Sequence, residues 1–430
     1  MASRPGPLTP SRSPLAAHGW RSLAIDIGPL RRHRDFRLLF LGQGTSFLGS
    51  MITYVAIPYQ VYDLTGSTLL VGLLGLVEFA ALMLMALIGG ALADSRDRRR
   101  MVMATEFALL TCSAVLLGNS LVPDPQVSVL FLVAAVATTF DSLQRPSLDA
   151  LLPRLVPRED LLPAAALSSL RGNVGMLAGP AIGGLLIAVV GLPATYAVDA
   201  LTFLFSLGAL SMMRPVPPAP DAQRPSLQGI LAGVRYARSR PELMGTYLAD
   251  INAMFFAMPN ALFPALAVGF GGPKALGLLY AAPAVGALVA SLTSGWAKRI
   301  HRHGLGVLWA AAAWGVAIVA FGLSEQLWLA LVFLALAGAA DMVSGLFRMT
   351  IWNSTIPDHL RGRLAGIELI GYSAGPTLGS VRAGGVAHLA GPRWSAVSGG
   401  LLCVVGTVIV AVALPGFRRY DDRDQSTTGK

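Results

Sequence analysis

Several charged side chains lie inside long apolar stretches of this sequence, where an isolated charge is energetically costly. Asp141 and Arg145 are four residues apart, and Asp341 and Arg348 are seven apart, so the members of each pair would share one helical face. A carboxyl group generally has a higher pKa in a dry surrounding than in water, and a nearby arginine lowers that pKa. Competition of an arginine, a proton and an acidic solute for such a carboxylate could therefore couple their movements.

Two further acidic residues, Glu78 and Asp250, also lie in apolar stretches. We predict that these four carboxylates are candidates for proton coupling, and that the two arginines contact them or an acidic solute. The alternative is that the charges form ion pairs between helices and only fix their packing. We interpret three other embedded charges as structural, because they lie nearer the ends of these stretches: Glu106, Arg171 and Asp199.

The composition indicates a membrane protein. Of the 430 residues, 54% are hydrophobic and 13% are charged, about half the charge of a typical soluble domain. The net charge of +10 would suit nucleic acid, but the basic residues are not gathered on a soluble module, so we expect no nucleic-acid partner. Cys112 and Cys403 lie in apolar runs and are expected to be small buried hydrophobic residues.

No pattern of residues indicates an enzyme. The sequence has no G-x-x-x-x-G-K-[ST] loop for nucleotide phosphates, no cluster with metal-ligand spacing and no nucleophile constellation. We therefore predict a protein without catalytic residues, without a metal site and without a cofactor.

Twelve stretches have the length and apolarity that a helix needs to cross a bilayer, about 20 residues. Their predicted bounds are 38–61, 69–93, 101–121, 126–147, 164–190, 194–213, 243–268, 275–297, 305–323, 327–352, 363–389 and 394–415. If the N-terminus is cytoplasmic, 27 of the 33 Lys and Arg lie in cytoplasmic tails and connectors. This asymmetry is what the positive-inside rule requires, and it predicts that both termini are cytoplasmic.

The two halves of the chain contain a repeat. The segment that starts DSLQRP at Asp141 matches the one that starts DMVSGL at Asp341, 200 residues later. GMLAGPAIGG, from Gly175, matches GYSAGPTLGS, from Gly371, 196 residues later. The repeat predicts two parallel six-helix bundles. The predicted division is a tail over 1–35, a first bundle over 36–213, a central loop over 214–242, a second bundle over 243–415 and a tail over 416–430.

Two motifs resemble those of a known superfamily. GALADSRDRR, from Gly90 to Arg99, resembles the loop motif G-x-L-A-D-R-x-G-R-K/R of the major facilitator superfamily, with departures at Ser95 and Asp97. The fifth predicted span resembles the antiporter motif of that superfamily's exporters through Gly175, Gly179, Pro180, Gly183 and Gly184. PRLVPREDLLPAAAL, LLYAAPAVGALVASLTSG and RGRLAGI are similar to the enterobactin-exporter branch, which is also grouped with drug:proton antiporters of the third type.

The resemblance implies an all-α integral membrane fold of twelve transmembrane helices, in two pseudo-symmetric bundles around a cavity lined by helices 1, 4, 7 and 10. In the family the loop motif acts as a gate, whereas the alternative is that its arginines only anchor the loop at the membrane surface. Its residues here are Gly90, Asp94, Arg98 and Arg99. The fifth-span motif is expected to seal the cavity, and its glycines would let another helix approach closely. Four polar residues of the first span could line the cavity: Gln43, Ser46, Ser50 and Tyr54.

The resemblance further implies a monomeric secondary transporter of the bacterial inner membrane. Its partners would be the lipid bilayer and a small-molecule cargo, and its energy source would be the proton gradient. Export of a small amphipathic molecule, such as a catecholate siderophore or a drug, is the main functional hypothesis. Two alternatives stay open: an importer of the same architecture, and a membrane receptor that transports nothing.

Overall fold

The computed structural model describes the backbone of residues 26–93, 97–216, 235–236, 238–356, 358–421 and 423, but no side chains for 86–93, 150 and 358–373. Regular structure in these ranges is helical throughout. Helices α1 to α6 of the first half are Gly28–Arg32, Arg34–Thr65, Thr68–Ala93, Arg98–Leu121, Val127–Leu155 and Leu161–Ser211. Helices α7 to α14 of the second half are Pro241–Ala257, Phe263–Gly269, Pro273–Leu292, His303–Leu323, Leu327–Thr355, Asp358–Ala390, Pro392–Ala413 and Pro415–Arg418.

The twelve predicted spans correspond to these helices. Ten helical stretches among the described residues are long and apolar enough to cross a membrane. One of these ten stretches contains α6, in which two predicted spans are joined at a kink. Helix α12 supplies a further span, so the described residues account for all twelve. The prediction of an all-α membrane protein is therefore confirmed.

Gly191 lets the chain reverse direction within α6. Its φ of 81° lies in the left-handed region, which glycine adopts without steric cost. The kink divides α6 into a first part over 161–190 and a second part over 192–211. Each part is long enough to span a bilayer.

The seventh span is interrupted rather than continuous. Helix α7 ends at Ala257, and a 3₁₀ turn over Asn260–Leu262 connects it to α8. Pro259 precedes that turn and lacks the backbone N–H that would continue a helix. The break leaves Asn260 in the outer part of the bundle, where the two halves of the chain meet.

We call the face of the bundle at which α2 begins the inner face and the opposite one the outer face. Successive spans alternate in direction, so α4, α6, α7, α10 and α12 also begin at the inner face. Large apolar side chains are exposed on the outside of the bundle, among them Leu201, Trp309 and Val412. Such a surface suits contact with lipid, because a protein surface in lipid needs no polar side chains to cover it. The two halves meet along two pairs of helices, α3 with α12 and α6 with α9.

Candidate functional site

Glycines in the first part of α6 pack it directly against α2. A Cβ atom on Gly175 would collide with the ring of Phe47, and one on Gly179 would collide with Met51. A Cβ atom on Gly183 would lie 3.0 Å from a carbonyl oxygen of α2. The three glycines are four residues apart, so they form one face of the helix, and the absence of side chains there lets α2 approach.

The equivalent glycines of the repeat, 196 residues later, pack α12 against α7 in the same way. A Cβ atom on Gly375 would lie 2.9 Å from the Cβ of Met254. One on Gly379 would lie 3.1 Å from the Cα of Phe255. The sequence repeat therefore corresponds to the same helix packing in both halves.

Among the described residues, the halves lie against each other at two glycine crossings, which we call the outer seal: Gly184 with Gly277, and Gly72 with Ser380. A Cβ atom on Gly184 would lie 2.6 Å from the Cα of Gly277, on α9. A Cβ atom on Gly72 would lie 2.6 Å from the carbonyl oxygen of Ser380, on α12. Both crossings lie in the outer part of the bundle, because α3 and α9 begin at the outer face. The outer parts of the two halves are therefore in direct contact, as in a carrier that is closed at its outer face.

A group of polar and aromatic side chains lies beside the outer seal. The amide of Asn260 donates a hydrogen bond of 2.9 Å to the hydroxyl of Tyr54, which joins the two halves. The ring of Tyr54 packs edge-on against Tyr280, with 5.4 Å between ring centroids. The carboxyl group of Glu78 is close enough to interact electrostatically with both tyrosine hydroxyls. Of the predicted coupling candidates, Glu78 is thus the one placed where the halves meet.

Arg348 joins two of the other candidates into a group that we call the C-half triad. Its guanidinium contacts the carboxylate of Asp250 on α7 and lies 3.7 Å from that of Asp341, its neighbour on α11. The side chains of Arg348 and Asp250 are 12% and 13% exposed, whereas Asp341 is 45% exposed. The triad therefore combines a buried ion pair with one carboxylate that remains accessible.

The other predicted pair lies apart from the triad, on α5. Arg145 and Asp141 are 3.6 Å apart, on the shared helical face that their spacing predicts. Their side chains are 63% and 56% exposed. An exposed ion pair leaves both charges available to a third group, so this pair can contact a charged solute without first breaking a buried contact.

The loop motif is described only in part. Gly90 lies within α3, and Asp94 lies outside the described residues. Arg99 donates hydrogen bonds of 2.8 and 2.6 Å to the last carbonyl groups of α6, and Arg98 begins α4. Arginine is favourable at a helix C-terminus, where carbonyl groups lack partners. Arg99 thus ties the connector to its own half, which supports the anchoring interpretation for this arginine.

The sequence analysis did not predict a polar cluster inside the first half. Glu106 on α4 is 1% exposed, and its Oε1 accepts hydrogen bonds from Gln43, Gln144 and Ser46 at 2.7, 2.9 and 3.2 Å. The prediction that Gln43 and Ser46 line the cavity is wrong, because both are buried against Glu106. Arg171 interacts electrostatically with the same carboxylate.

Asp199, on the second part of α6, has a similar environment nearer the outer face. It is 1% exposed and accepts hydrogen bonds from Thr53 at 2.6 Å and Ser113 at 2.7 Å. Three helices meet at this carboxylate. The sequence signal that could have indicated this site is the set of hydroxyl residues at helical spacing in the first and third predicted spans.

Glu106→Ala is expected to lower thermal stability more than Glu106→Gln. Alanine would leave the amide donors of Gln43 and Gln144 buried without an acceptor, at about 1–3 kcal/mol each. Glutamine keeps a carbonyl oxygen for those donors. The measurement is the unfolding temperature of the purified protein in detergent, with Glu325→Ala, in an exposed connector, as the control. Equal losses for the two Glu106 variants would contradict this assignment.

Two six-helix halves, related by an internal repeat and joined at an outer seal beside membrane-embedded charges, define a membrane transporter of the major facilitator fold. The chain belongs to the family described as transmembrane secretion effector, because residues 25–428 match the profile of that family. It is 31% identical over 404 residues to the enterobactin exporter EntS of Shigella boydii serotype 4, covering 93% of this chain and 96% of the relative.

Two further similarities agree with this assignment. The enterobactin exporter EntS of Citrobacter koseri is 31% identical over 405 residues, with coverage of 93% of this chain and 96% of the relative. A bacterial homologue of the iron transporter ferroportin, solved in the inward-facing state, matches with a TM-score of 0.68 at 15% identity, covering 90% of this chain and 98% of that one. The second match concerns the fold alone.

Proposed function

We propose that this transporter exports a small amphipathic molecule in exchange for protons, with a catecholate siderophore as the first candidate cargo. The observation that carries the proposal is the 31% identity, over 93% of the chain, to relatives named enterobactin exporters. The C-half triad and the Asp141–Arg145 pair are chemically suited to it. An acidic cargo can compete for their arginines, and a proton can neutralise their carboxylates.

In this proposal the inner face is cytoplasmic and both termini lie in the cytoplasm of a bacterial cell. The excess of arginine and lysine in the inner connectors supports this orientation. The outer seal is then closed toward the outside, so the cavity can load cargo from the cytoplasm. The proton gradient supplies the energy, no cofactor is needed, and one chain holds the complete carrier.

The test is proton movement driven by cargo in liposomes that contain the purified protein. A pH-sensitive dye inside the liposomes reports proton flux when a catecholate siderophore, or separately a cationic dye, is added. Asp341→Asn is expected to abolish the cargo-driven flux, because asparagine has the same shape but cannot carry the proton. Asp124→Asn, in the exposed connector between α4 and α5, is the matched control and should leave the flux unchanged.

The outcomes separate the parts of the proposal. Flux with the siderophore that is lost in Asp341→Asn supports both the cargo class and the role of that carboxylate. Flux with only the cationic dye would replace the siderophore by a drug-like cargo. Cargo movement without proton movement would refute proton exchange, and no movement of either compound would favour a receptor.

A further inference from the structure

A short segment after the last span is held firmly against the inner face of the second half. Phe417 in α14 is fully buried, and a Cβ atom on Gly245 of α7 would collide with its ring. A Cβ atom on Gly304 of α10 would collide with the backbone of the same residue. The hydroxyl of Tyr420 makes a hydrogen bond of 2.7 Å with Ser354 of α11. The segment is thus fixed on three spans.

The docked segment encloses a cavity with the start of α10. The cavity has a volume of about 580 Å³. It is lined by Arg302, Leu305, Arg418, Arg419 and Asp421. Since α10 begins and α13 ends at the inner face, the cavity lies at the level of the lipid headgroups.

The cavity carries an excess of positive charge that the described residues do not neutralise. Among the described residues, no ion pair or side-chain hydrogen bond involves the guanidinium groups of Arg302, Arg418 and Arg419. Asp421, the one acid among the described residues of the lining, is engaged by Arg423 through hydrogen bonds of 2.9 and 2.7 Å. Those hydrogen bonds hold the pKa of Asp421 well below its usual range, so it stays ionised and paired with Arg423.

An apolar surface continues from the cavity toward the middle of the membrane. Arg302 directly precedes α10, Leu305 and Trp309 follow on one face of that helix, and Trp309 is exposed one turn beyond the cavity. On α13, the helix that leads to the docked segment, Val412 is exposed as well. A molecule with a charged head and apolar chains would contact both the basic cavity and this apolar surface, whereas a free anion would contact only the cavity.

We propose that this cavity binds the headgroup of an anionic phospholipid, with its phosphate between the three arginines and its acyl chains along the exposed faces of α10 and α13. Guanidinium groups suit this role because they bind phosphate oxygens through paired hydrogen bonds. Basic pockets of this kind between membrane helices recognise anionic headgroups. Because the docked segment packs on α7, α10 and α11, the lipid would brace the inner ends of these helices.

The test is the affinity of the purified full-length protein for phosphatidylglycerol in detergent, measured by native mass spectrometry, with phosphatidylcholine for comparison. The triple variant Arg302→Gln, Arg418→Gln, Arg419→Gln is expected to lose about a hundredfold in affinity for phosphatidylglycerol, since each basic residue near an anionic lipid contributes roughly fivefold. Affinity for phosphatidylcholine should not change. The unfolding temperature without lipid should also be unchanged, because the three side chains are exposed.

The matched control removes three other arginines near the inner face, with Arg154→Gln, Arg158→Gln and Arg214→Gln, and should keep the affinity of the unmodified protein. An equal loss in the two triple variants would mean that general surface charge attracts the lipid, and would overturn the proposal. An unchanged affinity in the triple variant of Arg302, Arg418 and Arg419 would also overturn the proposal. Inorganic phosphate is expected not to displace the lipid, and displacement at millimolar phosphate would identify a site for a small anion instead.

Discussion

Gly184→Leu is expected to reduce cargo transport by at least about fivefold and to shift the protein toward a state that is open at the outer face. The side chain has no room at the outer seal, where the backbone of Gly277 lies against Gly184. Inserting side-chain volume into a packed contact costs about 1–3 kcal/mol. A cost of that size, if it applies only in the closed state, changes the ratio of the two states by roughly fivefold to 150-fold.

Spin labels at Asp63→Cys and Lys274→Cys would measure the shift. These residues are exposed at the outer ends of α2 and α9, one in each half. The native thiols, Cys112 and Cys403, are buried and should not take up the label. The distance between labels is expected to lengthen in Gly184→Leu.

Gly208→Leu is the matched control for this experiment. Gly208 lies in the second part of the same helix, and a Cβ atom there would meet nothing within 4 Å. Transport and label distance should both match those of the unmodified protein. If Gly184→Leu kept the original distance and rate, the crossing with Gly277 would not be the contact that closes the outer face.

Arg348→Gln is expected to lose transport and to lower stability by about 3–5 kcal/mol, the usual cost of removing one partner from a buried ion pair. The reason is that Asp250 would remain buried, next to Asp341, without the arginine that contacts both carboxylates. Denaturation of the purified protein in detergent measures the stability, and the liposome assay measures transport. Arg145→Gln is the control, because its exposed pair should contribute less than about 1 kcal/mol.

The double variant Arg348→Gln, Asp250→Asn separates packing from transport. Neutralising both partners removes the uncompensated charge, so stability should largely return. Transport should stay lost if Arg348 binds cargo or responds to the proton on Asp341. Recovery of transport together with stability would reduce the Arg348–Asp250 pair to a packing contact.

The spans could be predicted from the sequence because they depend on local quantities. Apolar length determines which segments cross the membrane, and the asymmetry of arginine and lysine indicates which ends share a face. The glycine face at Gly175, Gly179 and Gly183 was likewise predictable, because four-residue spacing fixes a helical face without knowledge of its neighbour. The identity of that neighbour, α2, was not.

Side-chain partners could not be predicted because they depend on how each helix is rotated about its axis. The seven-residue spacing of Asp341 and Arg348 placed them on one face but could not indicate that Asp250 of α7 is the closer partner. The same limit explains the error at Gln43 and Ser46, whose spacing suits a cavity lining as well as a buried contact with Glu106. Only the packing of α2 against α4 and α5 decides between the two.

The equivalent packing of Gly179 on Met51 and of Gly375 on Met254 has a consequence for the ancestry of the chain. A six-helix protein that paired with a second copy in the same orientation would form two equivalent crossings, related by a two-fold axis. Each would resemble the crossing of Gly184 with Gly277. After gene fusion, the two halves would no longer need to have the same sequence. In the repeat, Ser380 occupies the position of Gly184, and Arg145 and Arg348 lie at different positions of their halves.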